Sequence, residues 1–461
     1  RHPGDFSMFR VYASKDNRPA AYSPQNVPYR PKKHFSISTK GVKEGDFTMI
    51  YGFPGNTQEY ILSDAVAYIA ERSDPAKIAV RTGRLDIITK AQESDPALRI
   101  HYAAKHASIA NAWKKWQGEA LGIDRRGTVA AKFDYETQFG LWSVGRPEYA
   151  GVVMGLRAEY DRIMDAYFAY EITRETLSTL PAAYTPEERS EECFARRKFA
   201  EQALWRHAFR EYGRCPKVYR TPSYAEGMAR YKSPEAYADA LFEAVWEGSD
   251  SVAMQPAVRL REETKRMLDH ISWMLGTKSL RNLNSKILNE LYTTYIKGLR
   301  EWDRERAFYP DANLTLRVAY GSVAGYEYAD GEYHKPQTTL DGIIAKDNPE
   351  IYDYDIPQSL RDLYASKNYG RWGTVIDGRR TVPVCFLATN HTTGGNSGSP
   401  VLNAGGELIG INFDRTWRST MSDIAFDPAI CRNIAVDIRY VLFVVDRVGG
   451  AGYLLKEMTL K

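Results

Sequence analysis

The stretch "TTGGNSGSPVLNAGGELIGINFDRTW", from Thr392 to Trp417, contains a serine between glycines, a turn sequence and a charged pair. The turn sequence is "NAGG" at 403–406, and its glycines supply the positive φ angles that a hairpin turn requires. The sequence therefore predicts a β-hairpin over residues 401–414. A glycine-rich loop precedes this hairpin, so the serine lies where a strand is about to begin.

That loop holds Ser397, and its neighbours suit acyl transfer. A serine hydroxyl is a weak nucleophile at neutral pH, and acyl transfer also needs hydrogen-bond donors for the oxyanion. The N–H groups of Gly395 and Ser397 can point to one site because Gly395 has no side chain, and Gly398 lets the chain turn away. A plain glycine-rich hairpin is the alternative, but the following "SPVLNAGGELIGI" contains the small residue, proline and hairpin that recur in trypsin-like proteases. The pattern predicts Ser397 as a nucleophile and Gly395 as part of an oxyanion hole.

The composition is that of a globular chain without a membrane span. Of the 461 residues, 43% are hydrophobic and 26% are charged. No apolar run approaches the roughly 18 to 20 residues that cross a bilayer. The net charge of +4 is small and basic residues are interleaved with acidic ones, so we expect no nucleic-acid partner. The cysteines are isolated, without a CxxC pair that would indicate zinc or thioredoxin-type chemistry: Cys193, Cys215, Cys385 and Cys431.

The spacing of apolar residues divides the chain into three parts. Short segments rich in aromatic and β-branched residues occupy residues 1–58, apolar residues recur at helical spacing over 59–305, and strand-like segments return over 306–461. The length also exceeds that of one usual hydrophobic core. This order predicts an α+β protein in which one β domain, made of the first and last parts, is interrupted by a helical domain.

Local signals predict individual elements. Thr-Pro-Glu-Glu at 185–188 predicts a helix start, because the Thr and the second Glu can each accept a hydrogen bond from the other's backbone N–H. Two apolar faces predict long helices: Leu156, Tyr160, Ile163, Met164 and Tyr167; and Leu280, Leu283, Ile287, Leu291 and Tyr295. Predicted strands outside the hairpin lie within residues 5–13, 34–39, 46–53, 314–328, 382–390 and 438–448.

Four motifs, in this order along the chain, carry a family resemblance: "RHPGDFSMFRVYASKDN" at the start, "ASIANAWKKWQGE" at 107–119, "TTGGNSGSPVLN" and "GELIGINFDRTW". Together they resemble the bacterial dipeptidyl peptidase 7/11 family of serine exopeptidases, and most closely its Asp/Glu-specific type. The resemblance extends over essentially the whole chain. It implies a chymotrypsin-like double β-barrel, incomplete in this chain, with a large inserted α-helical domain.

The resemblance also implies catalytic roles. Ser397 resembles the family nucleophile, and Asp5 in "GDFSMFR" resembles the acid that orients the catalytic histidine. The family histidine lies in an upstream motif of the type "TNHHC", which this sequence does not contain, so we expect the chain to lack an N-terminal part that carries it. His391 precedes Ser397 by only six residues, and His2 is close to Asp5 along the chain. We expect neither histidine to be the base.

Release of dipeptides requires partners for the free α-ammonium of the substrate, and a carboxylate and an amide carbonyl are suited to it. The resemblance implies Asp414 and Asn111 for this role, although Asn111 alone reads as an amide on a helix surface. The resemblance further implies that Arg415 pairs with an Asp or Glu side chain at P1, the residue before the scissile bond, and a guanidinium suits a carboxylate there. A surface ion pair of Arg415 with Asp414 is the alternative, and Arg418 is the second candidate for P1.

The predicted function is therefore a serine dipeptidyl peptidase that releases dipeptides with Asp or Glu at P1 from peptides with a free N-terminus, with no metal or organic cofactor. The resemblance further implies a homodimer and a periplasmic or secreted location. One alternative is a glutamyl endopeptidase with the same barrel. The other is a noncatalytic peptide-binding relative, which the absent histidine motif suggests.

Overall fold

The computed structural model describes residues 4, 6–248, 251–277, 282–351 and 353–461. The chain divides into two compact units. The sheet unit comprises Arg1–Gln58 and Asp311–Lys461, and the helical unit comprises Glu59–Pro310. None of the helices in the described ranges is long and apolar enough to cross a membrane.

The helical unit is built from α-helices whose apolar faces form a smaller core around Tyr102 and one large core. Tyr160, Ile163 and Phe242 are among its fully buried residues. A π-helical turn, Ile69–Ser73, joins the first two helices. The helices are α1 Ser63–Tyr68, α2 Asp74–Ser94, α3 Pro96–Arg125, α4 Thr128–Trp142, α5 Val152–Glu175, α6 Pro186–Ser190, α7 Lys198–Tyr212, α8 Pro222–Tyr231, α9 Pro234–Glu247, α10 Ser251–Met274 and α11 Lys286–Trp302.

The two predicted apolar faces have different outcomes. The face from Leu156 to Tyr167 lies on α5 and is confirmed, because α5 directs these residues into the core. The second face was predicted too long at its N-terminal end. Helix α11 begins after Ser285, whose hydroxyl accepts a hydrogen bond from the N–H of Leu288 at 3.1 Å. Leu283 lies in the preceding bend, and Leu280 lies outside the described residues.

The predicted helix start at residues 185–188 is confirmed. The Thr185 N–H donates to Glu188 Oε2 at 2.7 Å, and the Glu188 N–H donates to Thr185 Oγ1 at 3.2 Å. Helix α6 begins at Pro186, where the missing N–H of proline leaves no donor unsatisfied. The signal succeeded because all of its parts lie within four consecutive residues.

The sheet unit contains one antiparallel sheet of seven strands, in the order β4-β3-β11-β12-β13-β10-β7. Short strands also form three separate pairs: β1 with β2, β5 with β6, and β8 with β9. The strands are β1 Tyr12–Ala13, β2 Val27–Pro28, β3 Phe47–Gly52, β4 Arg317–Ser322, β5 Tyr326–Ala329, β6 Glu332–His334, β7 Gln337–Thr339, β8 Thr374–Ile376, β9 Arg379–Thr381, β10 Pro383–Ala388, β11 Pro400–Leu402, β12 Leu408–Arg415 and β13 Asn433–Asp437. Its helices are α12 Leu340–Ile344, α13 Gln358–Ser366 and α14 Ile438–Phe443.

The centre of this sheet was predicted correctly. The hairpin expected over residues 401–414 is formed by β11 and β12, and Gly406 has φ +72° in the turn between them. The strand expected within residues 46–53 is β3. Ile50 of β3 pairs with Val401 of β11, and both side chains are fully buried. Strands from the first and last parts of the chain thus pair in one sheet.

The two earlier strand predictions were largely wrong. Of residues 5–13, only Tyr12–Ala13 forms a strand, and Asp5 lies outside the described residues. In residues 34–39, Ile37 makes only isolated bridges, to Leu408 and Leu460. Aromatic and β-branched residues favour a strand where a neighbouring strand offers pairing and cover. Phe9 is 94% exposed, so the part of the segment before Tyr12 lacks such cover.

The expected double β-barrel is not seen as a closed structure in the described residues. Strands β4 and β7 form the edges of an open sheet. Next to the edge strand β4, Val323 forms a single antiparallel bridge with Ala388, the last residue of β10. Closure of a barrel requires a continuous hydrogen-bonded ladder between strands, and one bridge does not supply it. The mixed helix and sheet composition is confirmed, whereas the barrel is not.

The strand predicted over residues 438–448 is wrong, because this apolar segment is helical. Helix α14 covers its first part, and a π-helical turn, Val444–Val448, continues it. The Asp437 side chain caps the helix by accepting a hydrogen bond from the Arg439 N–H at 2.9 Å. A short apolar run suits a buried strand or a buried helix equally well, and the preceding cap decides between them here.

We expect Asp437→Ala to lower the free energy of unfolding of the sheet unit by about 2 to 4 kcal/mol. Asp437 caps α14 and also accepts two hydrogen bonds from the guanidinium of Arg439, at 2.9 and 2.7 Å. Its removal leaves a largely buried arginine without this carboxylate. Denaturant titration followed by tryptophan fluorescence measures the change. Asp353→Ala, at an exposed position, is the control, and equal losses in the two variants would contradict the expectation.

Candidate active site

Ser397 lies in the loop between β10 and β11, and backbone hydrogen bonds fasten this loop to β12. The Gly398 N–H donates to the Asn412 carbonyl at 2.7 Å, and the Asn412 N–H donates to the Ser399 carbonyl at 2.9 Å. Gly398 has φ +86°, a backbone conformation that favours glycine. The chain therefore turns sharply after Ser397 and enters β11.

Three buried asparagine side chains hold the loop in this form. Asn396 Oδ1 accepts the N–H of Thr393 at 3.1 Å. Asn412 Nδ2 donates to the Asn396 carbonyl at 3.2 Å, and Asn433 Nδ2 donates to Asn412 Oδ1 at 2.9 Å. Buried side-chain amides in proteins are normally hydrogen-bonded, as these three are. Asn412 and Asn433 were not predicted from the sequence, although the polar residue at the end of the apolar run "LIGIN" is a usable signal for Asn412.

Gly395 occupies a position that no other residue fits. Its φ is +104°, and a Cβ atom there would lie 2.4 Å from the Phe53 carbonyl oxygen and 3.0 Å from the Gly55 nitrogen. The Gly55 N–H in turn donates to the Gly394 carbonyl at 2.6 Å. In the described ranges, the N–H groups of Gly395 and Ser397 donate to no protein acceptor. Two backbone donors of the serine loop therefore have no protein acceptor among the described residues.

The hydroxyl of Ser397 is exposed and points to the end of β12. Its Oγ donates to the Phe413 carbonyl at 3.1 Å. Phe413 lies in a β-bulge, because the register between β12 and β13 shifts between Asn412 and Asp414. Within the part of the chain that the structure describes, no imidazole or carboxylate contacts this hydroxyl. The structure therefore places the Ser397 hydroxyl at the surface, hydrogen-bonded to a backbone carbonyl.

His391 contacts Ser422 and Phe426 and makes no hydrogen bond to Ser397. Its Nε2 lies 3.0 Å from the Ser422 carbonyl, and its ring stacks on Phe426 at 4.4 Å between centroids. Burial lowers the pKa of His391, so the neutral ring donates its Nε2–H to this carbonyl. This geometry agrees with the structural role expected for it. Asp5 and His2 lie outside the described residues, and the role of Asp5 stays a prediction.

Arg415 is held by the carboxylate of Asp423, a contact that was not predicted from the sequence. Its Nη1 donates to Asp423 Oδ1 at 2.5 Å, and its Nη2 donates to Asp423 Oδ2 at 2.9 Å. The two side chains are only 11% and 10% exposed. Asp414 accepts the backbone N–H of Arg415 at 2.8 Å instead of forming the surface ion pair that was the alternative. The guanidinium is therefore buried, and its orientation is fixed.

The other predicted substrate residues lie at exposed or partly exposed positions. Asp414 is exposed beside the bulge. The Arg418 guanidinium lies 4.1 Å from the centre of the Tyr328 ring, and its Nη2 is 3.4 Å from Glu332 Oε1. Asn111 is exposed on α3 of the helical unit. The structure thus gathers Asp414, Arg415 and Arg418 at the end of β12, whereas Asn111 belongs to the other unit.

A cluster with the ligand types of a metal site lies in the helical unit. The ligand atoms of His101, Glu191 and Cys193 lie within 4.8 Å of one another. Arg197 Nη1 is 2.6 Å from His101 Nε2 and 3.1 Å from Glu191 Oε2. A guanidinium therefore already supplies positive charge at this point, and a metal ion would have to displace it. None of the four cysteines forms a disulfide bond.

Known proteins match this chain along its whole length. The Peptidase S46 family model matches residues 1–197 and 187–460. An Asp/Glu-specific dipeptidyl-peptidase of Capnocytophaga gingivalis is 40% identical over 506 residues, covering 100% of this chain and 70% of the relative. One from Flavobacterium psychrophilum is 40% identical over 500 residues, covering 100% of this chain and 69% of the relative.

A solved structure shares the fold. The crystal structure of Porphyromonas endodontalis DPP11 in complex with the dipeptide Arg-Glu matches with a TM-score of 0.83 at 31% identity, covering 100% of this chain and 71% of that one. The fold and the serine loop, taken with these matches, define the protein as a peptidase. The chain belongs to the peptidase S46 family. The family resemblance stated from the four motifs is confirmed.

We expect Gly395→Ala to lower kcat/KM of the full-length protein about 100-fold or more, the scale of losing one oxyanion donor. The new methyl group would displace the loop from Phe53 and turn the Gly395 N–H away from the reacting carbonyl. Hydrolysis of a fluorogenic dipeptidyl substrate measures the change. Gly394→Ala is the matched control, because a Cβ at Gly394 meets no atom within 4 Å. Similar losses in both variants would contradict the role of Gly395.

Proposed function

We propose that this protein is a serine dipeptidyl peptidase that releases N-terminal dipeptides with Asp or Glu at P1. The position of Arg415 carries the proposal. Arg415 lies two residues after Phe413, and the Phe413 carbonyl accepts a hydrogen bond from the Ser397 hydroxyl. The Arg415 guanidinium is buried. A desolvated guanidinium suits a carboxylate and disfavours an apolar side chain. The relatives named Asp/Glu-specific support the same assignment.

In this mechanism, Ser397 attacks the carbonyl carbon of the P1 residue and loses its proton to a histidine base. The N–H groups of Gly395 and Ser397 stabilise the negative oxygen of the tetrahedral intermediate. The histidine then protonates the leaving amine, and water hydrolyses the acyl-enzyme by the same steps. Support comes from the exposed hydroxyl and the two available N–H groups. The histidine and its orienting acid, Asp5, stay predictions.

Recognition of the substrate N-terminus is assigned to Asp414 and Asn111. An ammonium group binds a carboxylate and an amide oxygen by charge-assisted hydrogen bonds. Asp414 is exposed beside the bulge that receives the Ser397 hydroxyl, which supports its part. The part of Asn111 rests on the family resemblance and on its exposure on α3. Such an anchor would limit cleavage to the second peptide bond.

The remaining expectations complete the proposal. A chymotrypsin-like barrel is supported by the antiparallel strand order and by the bridge between Val323 and Ala388, where the sheet curls toward itself. The homodimer and the periplasmic or secreted location rest on resemblance alone and stay predictions.

A glutamyl endopeptidase would use the same serine loop and the same arginine. Its substrates would not need a free N-terminus.

Arg415→Gly in the full-length protein should lower kcat/KM for substrates with Glu at P1 about 100-fold or more, because the carboxylate loses its partner in a desolvated site. Cleavage after Leu should change much less, because an apolar P1 side chain forms no ion pair with Arg415. Steady-state kinetics on paired Glu and Leu substrates measure both effects. Arg418→Ala, which alters the second candidate for P1, should leave the ratio of Glu to Leu cleavage unchanged. Equal losses on the two substrates would contradict the P1 role and move it to Arg418.

Asp414→Ala and Asn111→Ala should each lower kcat/KM for substrates with a free N-terminus. The expected decrease corresponds to a loss of about 2 to 4 kcal/mol of transition-state stabilisation. Each variant removes one partner of the ammonium group. Asp353→Ala serves as the control at an exposed carboxylate. The same substrates with an acetylated N-terminus should resist the unaltered enzyme. Efficient cleavage of the acetylated peptides would favour the glutamyl endopeptidase instead.

A further inference from the structure

Asp423 is the carboxylate that fixes the direction of Arg415. It accepts from both Nη atoms of the guanidinium, at 2.5 and 2.9 Å, and Ser422 Oγ accepts from Nη1 at 2.9 Å. Each carboxylate oxygen thus accepts from a different guanidinium nitrogen, which is the bidentate arrangement of strong arginine–carboxylate pairs. The pair is about nine-tenths buried, with 11% and 10% of the two side chains exposed.

The segment that carries Asp423 is itself anchored. Asp423 ends the 3-10 helix Trp417–Asp423, in which Ser419 and the residues after it are buried. The Asp423 carbonyl accepts the Gln58 N–H at 2.6 Å, and the Ser419 hydroxyl accepts the Arg432 N–H at 2.9 Å. Every one of these contacts lies within the sheet unit. The carboxylate therefore acts on Arg415 from a fixed position.

A fixed guanidinium has a consequence for binding. An arginine side chain has many rotamers, and ordering it at the moment of binding costs conformational entropy. Asp423 makes this ordering part of the folded state. It also keeps the buried charge compensated when no substrate is present, which limits the cost of burying a lone cation. Its own negative charge repels an incoming carboxylate, so orientation and repulsion act in opposite directions.

We propose that Asp423 is a positioning residue for P1 recognition, and that its orientation of Arg415 outweighs its repulsion of the substrate carboxylate. The inference rests on the proposed function, because it requires Arg415 to bind the P1 side chain. Asp423 acts through Arg415 and does not itself touch the substrate. Its substitution should therefore change the preference between charged and uncharged P1 residues, beyond any effect on overall activity.

The test uses two dipeptidyl substrates that differ only in Glu or Gln at P1, with the full-length protein. Asp423→Ala should lower the ratio of kcat/KM for Glu over Gln about tenfold, mainly through KM, because the guanidinium loses its orientation. Asp423→Asn should fall between the wild type and the alanine variant, since one amide oxygen can still accept a hydrogen bond. It also keeps the test valid if the alanine variant does not fold.

Two further variants show whether the effect passes through Arg415. In an Arg415→Gly background, Asp423→Ala should cause no additional loss of Glu preference, because residues that act as one unit are not additive. Glu332→Ala removes the carboxylate beside Arg418 and should leave the ratio unchanged. This matched control distinguishes the pair at Arg415 from a general effect of lost negative charge.

Four kinetic results would contradict the expected effect of Asp423 on P1 preference. Equal losses on the Glu and Gln substrates would make Asp423 a structural residue and overturn the inference. A rise in Glu preference in both Asp423 variants would mean that repulsion dominates, and it would overturn the inference as well. An unchanged ratio in these variants, with Glu preference lost in Arg415→Gly, would overturn the inference alone. Retention of Glu preference in Arg415→Gly would overturn the proposed function also.

Discussion

The attachment of the Ser397 loop to β12 is the constraint on which the candidate site depends. Two backbone hydrogen bonds, from Gly398 to Asn412 and from Asn412 to Ser399, fix the loop to the strand. Strand β12 pairs with β11 on one side and β13 on the other, so its position is determined from both edges. Because the hydroxyl of Ser397 donates to the carbonyl of Phe413, a shift of β12 would move Ser397 and the residues after Phe413 together.

Buried arginines in the sheet unit are accommodated in two ways. Arg432 is held by backbone carbonyls, including that of Gly325 at 2.9 Å, and burial lowers its pKa. Arg415 and Arg439 are held by carboxylates, those of Asp423 and Asp437. Neutral carbonyl dipoles orient a guanidinium but leave its full charge buried, whereas a carboxylate compensates the charge. The arginine next to the serine loop belongs to the compensated class, so its burial is tolerated when the site is empty.

The sequence predicted those parts of the fold that depend on neighbouring residues. The glycine turn of the β11–β12 hairpin, the capping box at Thr185 and the apolar face of α5 are set by residues within a few positions of one another. The helix α14 was missed because its apolar run fits two structures, and the deciding residue, Asp437, lies before the run. The barrel was inferred from resemblance, and whether strands close is a long-range property that no local pattern contains.

The candidate site shows the same division. The loop around Ser397 could be located from its glycines, because positive φ angles are a local requirement. The residues that hold the loop and the arginine, Asn433 and Asp423, could not be found in this way. Asn433 contacts Asn412 from the neighbouring strand, and Asp423 reaches Arg415 only because the intervening chain folds back as a 3-10 helix. Their roles become visible only when the pairing partners are known.

The β-bulge at Phe413 explains how one strand end can present so many polar groups. In a regular strand, side chains two residues apart share a face, so Asp414 would follow Asn412 into the buried side of the sheet. The extra residue breaks this alternation: Asn412 is buried, whereas Phe413 and Asp414 are both exposed. A bulge of this kind re-aims side chains at the end of a strand. It turns the carboxylate away from the core without moving Asn412, which must stay buried to hold the Ser397 loop. The same irregularity therefore allows a firmly held Ser397 loop and an exposed carboxylate to lie side by side.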